Sequence, residues 1–214
     1  MSLDAIHEDI ARYYTRKIES HGPTPQGVDW ASEPTQALRF VQLLKVCDLS
    51  SPLSLNDIGC GYGALRGFLD QRFAGRPVDY LGTDLSEAMV SQARALWSDR
   101  RDARFECGPD IPRVADYCVA SGIFNVKLHH IDPDWDSFVA ATLKAMRAAS
   151  RRGFAVNFLF PLEPGMRGAP ELYRPAPRQW QSHCESALDA KVQVIAGYGM
   201  REYTLLATTA AAAD

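Results

Sequence analysis

The sequence predicts an α/β fold: a mostly parallel sheet, helices on both faces, and an antiparallel hairpin at its end. Three observations carry that expectation. Between residues 53 and 160, short apolar runs alternate with amphipathic helical stretches, the pattern of a parallel sheet covered on both sides. The first apolar run ends in clustered glycines that lead into a helix. The last two runs face each other across Gly197-Tyr198-Gly199-Met200-Arg201, which reads as a hairpin connection.

Each element has its own warrant. Residues 4–20 set Ile6, Ile10, Tyr13, Tyr14 and Ile18 at helical spacing with charges between them. The stretch 21–27 then breaks the pattern, with Gly22 as the C-cap. A second helix is expected from Ser32-Glu33-Pro34, where Ser32 can cap and Pro34 suits the first turn. Leu38, Val41, Leu43 and Leu44 form its buried stripe. Residues 53–58 form a strand and 64–73 its helix; 78–83 form a second strand, ending at Asp84, and 87–97 the helix after it. Segments 103–107 and 117–121 are expected as strands three and four. Residues 134–149 form a long helix with Phe138, Leu143 and Met146 inside, and 154–160 a fifth strand. The Pro/Gly/Arg-rich stretch 161–177 is too long for a simple connection and is expected to be a functional loop. A helix over 178–187 and strands over 191–196 and 202–208 follow, and the Ala-rich tail from Ala210 is expected to fray. No internal repeat is present. The expectation is one domain over 1–214, with a helical cap at 1–49 and a core at 50–209 that carries the 161–177 lid loop.

Composition excludes several classes. The 214 residues carry 23 Lys+Arg against 26 Asp+Glu, a net charge of −3, which leaves no footprint for binding a nucleic acid. Arg100-Arg101 and Arg151-Arg152 are isolated pairs that read as solvated helix ends. Hydrophobic residues at 46% and charged residues at 23% supply a core and argue against disorder. Five scattered cysteines without a CxxC support neither a disulfide scaffold nor a zinc knuckle. Met1-Ser2-Leu3-Asp4 does not open a signal peptide. The best apolar run, 154–162, is too short to span a bilayer and is interrupted by Asn157. A cytoplasmic protein is expected, with no membrane association and no metal; the oligomeric state is left open.

Chemistry concentrates in Asp57-Ile58-Gly59-Cys60-Gly61-Tyr62-Gly63. Glycines between a strand and a helix let a ligand approach the backbone, and the helix start offers free N–H groups. Gly59 to Ala64 fits both the GxGxxA of dinucleotide sites and the GxGxG of S-adenosylmethionine (SAM) sites. Asp57 weighs against a pyrophosphate and in favour of SAM, which carries an ammonium and a sulfonium. Asp84, at the end of the second strand, can accept both ribose hydroxyls in either class. Ser86 is the better cap for the next helix and so releases Asp84 for that role. Cys60 has no base partner and is not expected to act as a nucleophile.

Residues 57–63 together with Tyr80-Leu81-Gly82-Thr83-Asp84-Leu85-Ser86 resemble the first two motifs of the class I SAM-dependent methyltransferases. The likeness extends through Asp110 and residues 115–121, covering 50–160 well and the terminal hairpin in outline. Residues 121–127 and the 21–30 segment are similar to a bacterial subgroup of small-molecule methyltransferases. The resemblance implies a Rossmann-like seven-stranded sheet with a reversed final strand and SAM across strands one, two and four. It places Asp57 and Gly59 at the methionine portion and Asp84 at the ribose, with Gly61 and Gly63 also in the cofactor site. It sets Leu85 on the adenine, Asp110 and Ile111 at its amino group, and Ser121 beneath the sulfonium.

The acceptor side is read from position and chemistry. His129 and His130 follow the fourth strand, where an acceptor would lie, and either is a candidate general base. Asn125 replaces any carboxylate there and is a candidate contact. Tyr13, Tyr14, Trp30 and Tyr173 could offer aromatic faces to a sulfonium, with Tyr173 the preferred one and Tyr14 counted with the cofactor site. Arg16, Lys17 and Arg39 could meet a carboxylate but read better as helix-surface charge. The expected activity is SN2 methyl transfer from SAM to a small molecule. Two alternatives stay open: cyclisation of SAM itself with release of methylthioadenosine, and an NAD-dependent oxidoreductase resting on the GxGxxA overlap.

Overall fold

The computed structural model describes residues 2–209; the tail from Ala210 lies outside them. Seven strands form one sheet in the order β3-β2-β1-β4-β5-β7-β6. They are β1 (Leu53–Ile58), β2 (Val78–Asp84), β3 (Ala103–Cys107), β4 (Ala115–Ala120), β5 (Ser150–Leu159), β6 (Ala190–Ile195) and β7 (Glu202–Thr209). The first five run parallel; β7 lies antiparallel between β5 and β6.

Six α-helices cover the sheet. α1 (Leu3–His21), α5 (Asp132–Ala148) and α6 (Pro177–Ala187) bury Ile6, Trp135, Leu143 and Trp180 on one face. α2 (Glu33–Leu43), α3 (Ala64–Arg72) and α4 (Glu87–Leu96) bury Phe40, Leu65, Leu69 and Val90 on the other. With both faces covered, the central strands are buried: five of the six residues of β1 and of β4 are inside. Helix ends follow local chemistry. The Ser2 side chain caps α1, and Ser86 accepts from the Met89 amide at 3.3 Å to cap α4. Ser32 stands at the N-cap of α2, but its hydroxyl faces Thr35 and makes no cap bond.

Two boundaries depart from expectation. β5 begins at Ser150, so Arg151 and Arg152 are exposed strand residues rather than a helix end. β4 begins at Ala115, with a register irregularity between Ala115 and Tyr117 that lets Asp116 accept from the Ser54 amide and hydroxyl at 2.8 Å each. Among the described residues no helix is long and apolar enough to cross a membrane.

Strand order reverses at β1, whose neighbours β2 and β4 lead to opposite sheet edges. A crevice opens at the carboxyl ends of the strands at such a point. A short 3-10 turn, Pro25–Val28, follows α1 and closes over that crevice.

Candidate functional site

The glycine turn forms the floor. Gly59, Gly61 and Gly63 have φ of 69°, 55° and 80°, a left-handed backbone that other residues adopt only with strain. Thr83 of β2 ties the turn down by accepting from the Gly59 and Cys60 amides at 2.8 and 3.0 Å. Asp84 completes the frame: one oxygen accepts from the Gly61 amide and the other from the Ser86 amide, both at 2.9 Å. Asp57 is buried beneath, accepting from the Tyr80 hydroxyl at 2.5 Å.

Among the described residues, neither carboxylate has a basic partner. Burial, with a further contribution from Asp84, pushes the Asp57 carboxyl up to about 7. Burial also raises Asp84, against the backbone amides that favour its charged form. A pair of desolvated acids without counter-charge is the electrostatic complement of a cationic ligand.

The walls and roof come from four segments. His7, Ile10 and Tyr14 descend from one face of α1, Val28 and Trp30 from the segment after it, and Gln36 and Phe40 from α2. Leu85, Gly108 and Pro109 close the β2–β3 side, and Ser121 and Ile123 the β4 side. The Ser121 hydroxyl is buried with no hydrogen-bond partner. Val28 lies over Gly61 and Ile123 over Gly59, close enough that a Cβ at either glycine would collide at 2.9 and 2.2 Å. The roof thus rests on the floor, leaving about 110 Å³ of partly open space between them.

A second chamber of about 450 Å³ shares Tyr14, Val28, Trp30 and Gly122 with the first. Asn125, Arg39, Glu202 and Arg174 also line it. Arg39 and Glu202 form a buried bidentate ion pair, and the Arg39 guanidinium stacks 3.7 Å from the Trp30 ring centroid. Asn157 connects this pair to the first chamber: its amide nitrogen donates to Glu202 at 3.1 Å and its oxygen accepts from the Gly122 amide at 2.8 Å. Neither polar atom of the Asn125 side chain has a partner.

The structure brings Asp57, Gly59, Gly61, Asp84, Leu85, Ser121, Tyr14 and Trp30 together around the first chamber. It does not bring the other candidates there. Gly63 packs against Trp97, where a Cβ would meet the indole nitrogen at 2.5 Å. The Asp110 side chain is exposed and Ile111 packs against the core beside α5, leaving Gly108 and Pro109 as that wall. Tyr173 is a correction: its hydroxyl is taken up by Asp136, Trp180 and Gln179, so its ring packs in the core and reaches neither chamber. His129 and His130 line neither chamber and turn toward Asp9 on α1. Tyr13 and Lys17 are both held by Asp29, and Arg16 is exposed. His7, Gln36, Phe40 and Met89 line the first chamber unforeseen. The i, i+3, i+7 spacing of His7, Ile10 and Tyr14 marks His7 as sharing their face, a signal present in the sequence.

Comparison with known proteins bears on this geometry. Residues 56–149 match the family model described as a methyltransferase domain. A Mycobacterium tuberculosis protein named as a methyltransferase, Rv1506c, is 40% identical over 163 residues, 76% of this chain and 97% of its own length. The chain belongs to the class I SAM-dependent methyltransferases. Its cofactor is SAM, and the NAD reading falls away. Solved structures agree on the fold. The [4+2]-cyclase SpnF matches with a TM-score of 0.68 at 13% identity, over 98% of this chain and 96% of its own. Magnesium protoporphyrin IX methyltransferase from Synechocystis PCC 6803, with bound SAM, matches at 0.59 and 15% identity, over 83% and 80%.

The methyltransferase's first chamber fits SAM on its own chemistry. Two carboxylates with no basic partner among the described residues, Asp57 buried and Asp84 half-buried, suit a ligand with a sulfonium and an ammonium, and Ser121 presents a free hydroxyl. A pH dependence follows. Asp57 titrates higher folded than unfolded, so its contribution to stability is full below about pH 4 and is lost as pH rises through about 7. A cationic ligand needs the ionised form, so SAM affinity should rise as pH climbs through about 7, with a proton released on binding. Calorimetry in buffers of different ionisation enthalpy measures that proton. Equal affinity at pH 6 and pH 8 in wild type, or an unchanged profile in Asp57→Asn, would remove Asp57 from this role.

Proposed function

We propose that this methyltransferase transfers the SAM methyl group to a small-molecule acceptor seated in the second chamber. The observation that carries the reading is the wall common to both chambers, formed by Tyr14, Val28, Trp30 and Gly122. A donor below that wall and an acceptor beyond it can be aligned for transfer without either leaving the protein. The chamber's size falls in the range of small-ligand pockets, about 300–1,000 Å³. The near-neutral charge of the chain supports a small molecule over a polyanion.

Asp84 holds the ribose hydroxyls in this reading, and Asp57, Gly59 and Gly61 bind the methionine portion. Leu85 packs on the adenine and Ser121 lies beneath the sulfonium. When bound, SAM supplies a methyl group on an electrophilic sulfonium, transferred by in-line displacement. The protein's part is alignment and exclusion of water, for which α1, Val28 and Trp30 provide the cover. Asn125, buried and unpartnered, orients the acceptor by donating and accepting hydrogen bonds. The chain acts as one domain in which residues 1–49 cap the sheet.

The test is product analysis after incubation with SAM and the low-molecular-mass fraction of a metabolite extract. S-adenosylhomocysteine should form with that fraction and not with SAM alone. Methylthioadenosine from SAM alone would instead establish cyclisation, and product only with nucleic acid or protein would remove the small-molecule claim. With the acceptor in hand, Asn125→Ala should lower kcat/KM for it by about tenfold while SAM affinity stays within about twofold. Equal losses for donor and acceptor would show that Asn125 serves the cofactor.

A further inference from the structure

Two histidines converge on one carboxylate oxygen outside both chambers. His129 Nε2 lies 3.4 Å and His130 Nε2 3.3 Å from Asp9 Oδ2, and the three ligand atoms lie within 4.8 Å of one another. Asp9 belongs to α1, whereas the histidines sit between β4 and α5. Tetrahedral zinc, with bonds of about 2.0–2.2 Å to nitrogen and carboxylate oxygen, sets neighbouring ligand atoms about 3.3–3.5 Å apart. Both measured separations match that edge.

The buried member makes the case specific. The His130 side chain is 0% exposed, and neither ring nitrogen makes a well-formed hydrogen bond: Nε2 meets Asp9 Oδ2 only as an ion-pair contact at 3.3 Å. An unpartnered buried imidazole costs free energy unless something occupies its lone pair. Asp9 is oriented for the task, since Arg12 holds its other oxygen at 2.9 Å. Other charged groups nearby are Asp134 on α5 and Lys127, whose ammonium lies 2.8 Å from Asp132 and donates to the His130 carbonyl at 3.2 Å.

We infer that Asp9, His129 and His130 form a binding site for a borderline divalent transition metal, zinc being the best fit, which fastens α1 to the segment after β4. Two imidazoles and one carboxylate select zinc, cobalt or nickel over magnesium or calcium. Water completes the coordination sphere. His7 and Ile10, flanking Asp9, line the first chamber, so the cation anchors the cover over the cofactor. Its role is structural; no bond to a substrate is made at it.

The experiment uses tag-free full-length protein stripped with a chelator and titrated with zinc by calorimetry and with cobalt by visible absorption. Wild type should bind one equivalent at micromolar concentration or tighter, give ligand-field bands with cobalt, and melt at higher temperature with zinc. His129→Ala should weaken binding by about tenfold or more; that side chain is 66% exposed, so the fold tolerates its loss. Asp9→Asn should do the same, and Cys107→Ser, which removes the exposed thiol, should change nothing. Absence of binding by wild type, full binding by His129→Ala and Asp9→Asn, or loss of binding in Cys107→Ser would each overturn the site.

Discussion

Asp84→Ala should cut SAM affinity on the order of 100-fold. Two hydroxyls that donate to one carboxylate are charge-assisted hydrogen bonds, worth about 1.5–3 kcal/mol each, so losing the pair costs at least two decades of affinity. A second loss adds to the first: Asp84 also accepts from the Gly61 and Ser86 amides, and without it the glycine turn and the start of α4 lose their common tie. Asp84→Asn is the milder change: it keeps one acceptor oxygen and the shape of the side chain, although its NH2 group must face one of the two backbone amides. It should weaken binding less than Asp84→Ala and lower thermal stability less. Equilibrium dialysis with radiolabelled SAM measures the affinities, and thermal denaturation the stabilities. Affinity within about threefold of wild type in Asp84→Ala would refute the ribose role.

Glu202→Ala should be the most destabilising single substitution at the second chamber. Its loss strands the Arg39 guanidinium, whose side chain is only 7% exposed, and removes an acceptor from Asn157. Breaking a buried pair in this way costs about 3–5 kcal/mol, which for a chain of this size lowers Tm on the order of 10 °C. Replacing both partners tests the cause. Arg39→Met with Glu202→Leu removes the orphaned charge and should recover more than half of the lost stability, whereas Arg39→Met alone should not. A double variant no more stable than Glu202→Ala would mean the loss comes from strand packing rather than from the ion.

The same pair shows where reading the sequence ends. The strands of the sheet were legible because each is a short run bounded by turn residues, and the cofactor turn because Asp57 and its three glycines fall within seven positions. Arg39 and Glu202 are 163 residues apart and carry no local mark of each other, so Arg39 read as surface charge. Distance in sequence also hid the Asp9–His129–His130 cluster and reversed the reading of Tyr173. An aromatic residue in a polar loop suggests a binding face, but only the folded chain shows that Asp136 and Trp180 hold its hydroxyl. Ser150 to Arg152 misled for another reason: arginines at the start of β5 look like a helix end until pairing of Ser150 with Ala115 of β4 extends the strand.

The placement of β7 between β5 and β6 has a consequence for biosynthesis. β6 leaves the ribosome before the strand that will separate it from β5, and it has no sheet neighbour of its own until β7 exists. The nascent chain therefore displays an open β5 edge and an unmatched β6, both able to recruit a foreign strand. The hairpin must insert as a unit, and Glu202 at its leading edge brings the charge that Arg39 awaits. Until then the guanidinium remains accessible to water, and the second chamber lacks a wall.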